Sequence, residues 1–173
     1  MSNSPERRLV ILRHAKSDYP LGVEDHDRPL AGRGNREAPA AGRWLREHTI
    51  IPDYILVSSA QRTRSTCAWV TSELGDEAPT PYVDDRIYGA SATQLLTIIN
   101  EVPDTVRTLL VIGHMPTVQD LSMRLASVES DEDAVMEMAT RYPTLGLTAF
   151  EVNKPWAELD GRDAKLVAFA VPR

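Results

Sequence analysis

Arg13 and His14 stand side by side at the end of an apolar run, in "LVILRHAKSD", residues 9–18. Two other stretches carry related chemistry. "SSAQRTRST", residues 58–66, holds Ser58, Arg62 and Arg64, and "VIGHMP", residues 111–116, holds Gly113 and His114. A guanidinium offers a planar fork of donors that matches phosphate oxygens. A neutral imidazole can attack phosphorus and carry the phosphoryl group, which splits one hard step into two. Neighbouring arginines disfavour the imidazolium and so keep such a nucleophile unprotonated. Phosphoryl transfer asks mainly for positioning and charge neutralisation, and a second imidazole can bind an oxygen or balance protons. Singly, each stretch has an ordinary reading as a surface pair, a turn before a helix, or solvated helix charges.

What joins them is position. Each follows a short aliphatic run that reads as a buried strand: residues 8–13, 53–58 and 108–113. Helical patterns lie between, over 35–48 (Ala41, Trp44 and Leu45 on one face), 60–74 (Cys67, Val70, Leu74), from Ser91 as a cap onward, and again with Pro116 near the first turn. Strands alternating with helices predict an α/β protein, a three-layer α/β/α sandwich with a mostly parallel sheet. In such a sheet ligands gather beyond the carboxyl ends of the strands, so the three stretches meet at one edge. "TLGLTAFEV" and "AKLVAFAV" read as two late strands joined by a loose hairpin, one of them antiparallel to the rest. Residues 18–34 form a long loop rich in Gly, Pro and Asp, a length that is often functional. The acidic segment 129–140 reads as a solvated helix or a mobile stretch.

The bulk numbers set bounds. A chain of 173 residues, 42% hydrophobic and 25% charged, suits one globular domain spanning 1–173. A net charge of −6 argues against a nucleic-acid binder, which needs a broad basic face, but leaves room for a small cationic pocket. Cys67 is the one cysteine, so neither an internal disulfide nor a thiolate cluster forms. The four histidines, His14, His26, His48 and His114, make no metal-ligand pair at close spacing, so no metal or cofactor is expected. His26 and His48 read as surface groups, His48 as a cap at a helix C-terminus. The opening "MSNSPERR" is polar with no long apolar segment behind it, which predicts no signal peptide, no membrane span and a cytoplasmic location.

These stretches together resemble the histidine phosphatase superfamily, also called phosphoglycerate mutase-like. "LRHAKS" is similar to its R-H-G motif, Ser58, Arg62, Thr63 and Thr66 to its S-x-x-x-R-A-x-x-T motif, and "VIGHMP" to its second-histidine motif. "DHDRPLAGRG", residues 25–34, resembles the D-x-x-R-P-L-x-x-x-G loop of the SixA-type phosphohistidine phosphatases, and "YPTLGL" with the late hairpin is similar to that branch. The resemblance implies His14 as nucleophile, Arg13 and Arg62 as grips on the phosphoryl oxygens, His114 completing the pocket, and Arg28 and Ser17 as further phosphate contacts. For Ser17 an equal reading is local turn capping, while Lys16 and Arg64 read as shaping approach or solvated. Two departures stand out. Ala15 replaces glycine after the nucleophile, and Pro20 takes the place of an asparagine that the mutases use.

Many relatives carry a glutamate as general acid after a segment like "DDRIYG"; here that place falls near Gly89 and Ala90. Asp84 and Asp85 are the local candidates, with a polar strand end as the plainer reading, and Glu101 reads as exposed. Without an acid, esters of ordinary alcohols are poor substrates, whereas the leaving nitrogen of a phosphohistidine can take its proton from solvent or from His114. The resemblance therefore implies a metal-independent phosphatase acting on phosphohistidine in a partner protein. The alternatives are a small-molecule phosphomonoesterase and a non-catalytic phosphate-binding domain.

Overall fold

Alternate residues of the first apolar run, Arg7–Arg13 (β1), face opposite ways, and each face meets its own helical layer. Leu9 and Ile11 join one core, Val10 and Leu12 the other. Thr108–Gly113 (the strand numbered β4 below) splits in the same manner, with Leu109 and Val111 against Leu110 and Ile112. The computed structural model describes residues 6–173. The reading of the polar opening segment falls largely on Met1–Pro5, outside the described residues.

In chain order β1 is followed by the helices Gly32–Glu37 (α1) and Pro39–Glu47 (α2), strand Tyr54–Ser58 (β2), helix Gln61–Leu74 (α3), strand Tyr82–Asp84 (β3) and helix Ala92–Asn100 (α4). After β4 come helices Thr117–Leu125 (α5) and Glu132–Thr140 (α6), then strands Leu147–Val152 (β5) and Lys165–Ala170 (β6). The sheet runs β3-β2-β4-β1-β5-β6. Its first four strands are mutually parallel, and β5 pairs antiparallel with both β1 and β6. Helices α2 and α3 cover one face through Ala41, Leu45, Cys67 and Val70. Helices α4, α5 and α6 cover the other through Leu95, Ile99, Leu121 and Met138. This is the expected α/β/α architecture.

One local reading changes. The helix expected over 35–48 is two helices, starting earlier at Gly32 and broken at Ala38. Pro39 has no N–H to continue the first helix and opens the second instead. Pro116 is the N-cap residue of α5, next to its first turn as expected. The acidic segment resolves into α6, whose start is fixed by the Asp131 carboxylate accepting from the Ala134 N–H at 2.9 Å.

Register carries the fold to the site. In the parallel β1–β4 ladder Arg13 lies opposite Gly113, so His14 and His114 leave the sheet as neighbours, and the His14 N–H donates to the Gly113 carbonyl at 3.2 Å. On the other side Gly146 accepts from the Arg13 N–H and the Leu145 N–H donates to the His14 carbonyl. The residue carrying the reactive ring is thus held on both flanks by backbone.

Candidate active site

The His14 ring is 7% exposed, and its Nδ1 lies 2.7 Å from the Ala15 carbonyl oxygen. A carbonyl only accepts, so Nδ1 carries the proton and Nε2 keeps its lone pair. Burial pushes the ring's pKa down to about 3, with His114, Arg62 and Arg13 adding charge repulsion against the imidazolium. At neutral pH this is an uncharged base with one nitrogen free to react. The Ala15 N–H in turn donates to Thr66 Oγ1 at 3.0 Å, and that hydroxyl donates to the Arg62 carbonyl in α3. Ala15 is absent from the non-glycine residues with positive φ among those described (Thr49, Leu145 and Arg162), so the departure from glycine here brings no backbone strain.

Arg13, Arg62 and His114 close around this ring, and with His14 they line a pocket of about 190 Å³. Each presents a buried nitrogen without a protein partner: Arg13 Nε, Arg62 Nε and His114 Nδ1. Buried donors are nearly always satisfied. Three such atoms on lining residues of one pocket leave unspent polar capacity in its wall. Several other atoms of these side chains are tied down. Arg13 Nη1 donates to the Tyr142 carbonyl at 2.8 Å, and burial lowers its pKa without removing its charge. His114 Nε2 lies 2.7 Å from Ser58 Oγ, and the two histidine rings are 5.4 Å apart between centroids. Burial first, then Arg62, pushes His114 down to about 4, so it too is neutral. The Ser58 hydroxyl accepts from the Ala60 N–H at 3.4 Å. Its own proton is best used on His114 Nε2, which leaves Nδ1 as the nitrogen that carries the ring's N–H.

The long loop supplies the outer wall. It is pinned at its base by the Ser17–Leu30 bridge and by the Asp18 N–H donating to the Pro29 carbonyl at 2.9 Å. Arg28 and Ser17 both line the pocket, but they also bind one another: Arg28 Nη1 donates to Ser17 Oγ at 2.9 Å and to the Asp18 carbonyl at 3.0 Å. Arg28 Nε donates to Asp25 Oδ1 at 3.0 Å, so Nη2 is the nitrogen it has left to offer. The guanidinium lies 3.9 Å over the Tyr19 ring.

Known proteins place this geometry. Residues 9–108 match the histidine phosphatase superfamily (branch 1). An uncharacterised Mycobacterium tuberculosis protein is 45% identical over 163 residues, 94% of this chain and 100% of that one. A solved structure described as a candidate phosphohistidine phosphatase SixA from Nakamurella multipartitia superposes with a TM-score of 0.83 at 31% identity, covering 96% of both chains. Its counterpart from Agrobacterium tumefaciens gives 0.79 at 25% identity, over 96% of this chain and 99% of that one. The chain belongs to the histidine phosphatase superfamily. Within it the chain is of the SixA type.

Apart from Lys16, the other candidates fall outside the pocket. Asp84 is clamped by Arg86, whose Nη2 donates at 2.8 Å and whose N–H donates at 2.9 Å. That clamp holds the carboxyl below its ordinary range, which is the wrong direction for a general acid. Asp85 opens a short 3-10 turn, and Glu101 is taken by Arg86 at the surface. Arg64 is spent on the Ser59 carbonyl and Gln61, whereas Lys16 lies on the pocket rim. His48 caps α2 through the Trp44 carbonyl and stacks on Trp44. His26 approaches the site, with Nε2 2.9 Å from Ser59 Oγ and its ring edge-on to Tyr88. Among the described residues no three His, Cys, Asp or Glu side chains are grouped to hold a metal ion, and no helix is long and apolar enough to cross a membrane.

Two residues of this site carry no reading in the sequence. The Asp25 carboxylate accepts from Arg62 Nη2 at 3.1 Å, from Arg28 Nε at 3.0 Å and from the Tyr88 hydroxyl at 2.5 Å, and its backbone carbonyl takes Arg62 Nη1 at 2.7 Å. The Tyr88 bond, followed by the two arginines, holds Asp25 down at about 2. Asp25 thus fixes two guanidiniums by their outer edges and leaves Arg62 Nε free. The first aspartate of the D-x-x-R-P-L pattern is the signal that could have found it; nothing in the spacing around Tyr88 could have.

Proposed function

We propose that this chain is a metal-independent phosphatase that works through a phosphorylated His14 and acts on phosphohistidine carried by a protein. The observation that carries the reading is the 2.7 Å contact of His14 Nδ1 with the Ala15 carbonyl, which puts the proton of a neutral ring on Nδ1 and leaves the Nε2 lone pair for a pocket also lined by Arg13, Arg62 and His114. In the first step Nε2 attacks phosphorus, the P–Nε2 bond forms and the bond to the leaving group breaks. Arg13, Arg62 and His114, which line the pocket, meet the charge on the equatorial oxygens. The leaving group takes a proton from solvent. In the second step water attacks phosphorus, the P–Nε2 bond breaks, and inorganic phosphate departs as water's other proton returns to solvent.

The substrate class follows from what the pocket lacks as a proton source. None of its lining residues is a carboxylic acid, and Asp25 just behind it is ionised far below neutral pH. An alkoxide leaving group needs an acid; an imidazole leaving group is basic enough to be protonated by water. The likeness to SixA-type proteins favours the same class.

The test compares phosphohistidine, p-nitrophenyl phosphate and a sugar phosphate as substrates, with EDTA present, for the wild type and His14→Ala. The expected result is fast phosphohistidine turnover, slow sugar-phosphate turnover and loss of both in His14→Ala. Sugar-phosphate turnover equal to or faster than phosphohistidine turnover would sink the reading in favour of a small-molecule phosphomonoesterase. A folded, phosphate-binding protein that turns over none of the three would be a binding domain.

A further inference from the structure

Next to the pocket mouth the loop puts apolar side chains into water. Tyr19 lines the pocket yet is 71% exposed, Leu21 is fully exposed at 102%, and Val23 is exposed as well. Single exposed apolar residues are ordinary. Three within five residues, on a segment with a fixed shape, are not. Pro20–Val23 is a turn closed by the Val23 N–H donating to the Pro20 carbonyl at 3.4 Å. Gly22 sits third in it at φ +77°, a conformation glycine adopts freely, and Pro20 restricts the residue that opens it. The base is held by the Asp18–Pro29 bond, the Arg28 bond to the Asp18 carbonyl and the Arg28–Tyr19 stack. Leu21 is two residues from Tyr19, so its Cα is at most about 7.6 Å from that of a pocket-lining residue.

Such a turn is a preformed apolar prong at the rim of the reaction site. Its tip is open: Leu21 is fully exposed and a Cβ built on Gly22 would meet no atom within 4 Å. Resting on the reading of the site as a phosphohistidine phosphatase, we infer that Leu21 and Val23 are the docking contact for a folded phosphoprotein. Its phosphohistidine would lie beside an apolar patch edged by basic residues. The basic edge follows from charge. Asp18, Glu24 and Asp27 flank the prong and are exposed, so they would meet cations across the contact. The same acids, on a chain of net charge −6, oppose an anionic lipid surface. Because the prong is already ordered, little conformational entropy is lost on docking.

The test uses the full chain with Leu21→Asp and Val23→Asp, assayed on three substrates. These are p-nitrophenyl phosphate, free phosphohistidine, and a helical phosphotransfer domain phosphorylated on histidine with phosphoramidate. The expected result is a drop of about tenfold in kcat/KM on the phosphoprotein, carried by KM, the scale set by losing one apolar side chain's burial. Turnover of the two small substrates stays at the wild-type level, which also shows that the variants fold. Equal loss of none or of all three overturns the inference while leaving phosphohistidine turnover by the wild type as support for the site. Failure of the wild type on every phosphohistidine substrate removes the functional reading itself, and the docking claim with it. Wild-type binding to vesicles of anionic lipid that Leu21→Asp abolishes would assign the prong to a membrane instead.

Discussion

At the scale of the residue, the site is a problem in arranging like charges. Arg13, Arg28, Arg62 and Lys16 line one small pocket, and their repulsion has to be held in check without occupying the donors that face inward. Asp25 does this from behind. It takes Arg62 through Nη2 and through its own backbone carbonyl, and Arg28 through Nε. Two effects of removing its charge oppose one another. A carboxylate near a bound phosphoryl group repels it, so Asp25→Asn gains some anion affinity. Against that, two charge-assisted bonds weaken, and the amide turns an NH2 toward groups that are themselves donors. Hydrogen bonds to charged groups outweigh a screened surface repulsion. The expected outcome is a fall of about tenfold in kcat/KM for p-nitrophenyl phosphate. Tyr88→Phe, which keeps the ring against His114 and His26, falls less. Steady-state kinetics on both variants decide it; a rise for Asp25→Asn would mean that charge, not position, is what Asp25 controls.

At the scale of the element, the strands were legible and the breaks between helices less so. A buried strand announces itself as an apolar run with β-branched residues, so β1, β2 and β4 end within a residue or two of where the sequence puts them, and the reactive residues follow at once. Because β1 and β4 pair in register, reading two strand ends amounted to reading the His14–His114 contact. Asp25 and Arg62 lie 37 residues apart and belong to a loop and a helix. No periodicity links them, so their pairing emerges only from the packing of loop on α3. The seam between loop and strand rests on Gly34 in α1, where a Cβ would come to 2.1 Å from the Lys16 carbonyl oxygen. Helix propensity alone favours Gly34→Ala by about 1 kcal/mol. The clash is with backbone two residues beyond His14 and cannot be relieved by a side-chain rotation. Overpacking of this kind costs about 1–3 kcal/mol, so the variant is expected to unfold at lower urea and to lose activity as Lys16 and Ser17 shift. A higher unfolding midpoint would show that the seam has slack.

At the scale of the whole molecule, a chain of net charge −6 builds a locally cationic cleft and buries two neutral imidazoles at its floor. That choice has a thermodynamic signature. In the unfolded chain His14 and His114 titrate near 6.5; in the folded protein they are held at about 3 and about 4, chiefly by burial. Both folded values are depressed, so below about pH 6.5 the unfolded chain takes up protons that the folded chain refuses. Stability then falls as pH drops, by up to about 1.4 kcal/mol per pH unit for each histidine, until the folded pKa is reached. Asp25 acts in a separate window, because its lowered carboxyl loses its contribution only as pH falls below the ordinary carboxylate range. Between pH 7 and pH 5 the histidines therefore contribute a loss of about 2 kcal/mol each. Urea unfolding at the two pH values, for the wild type and for a His14→Gln, His114→Gln double variant, isolates this loss: the variant is expected to show a shallower decline. Parallel declines would mean that both rings protonate freely inside the fold. A His14 that titrates normally would be partly charged near neutral pH, and the neutral nucleophile on which the proposed chemistry depends would lose its physical basis.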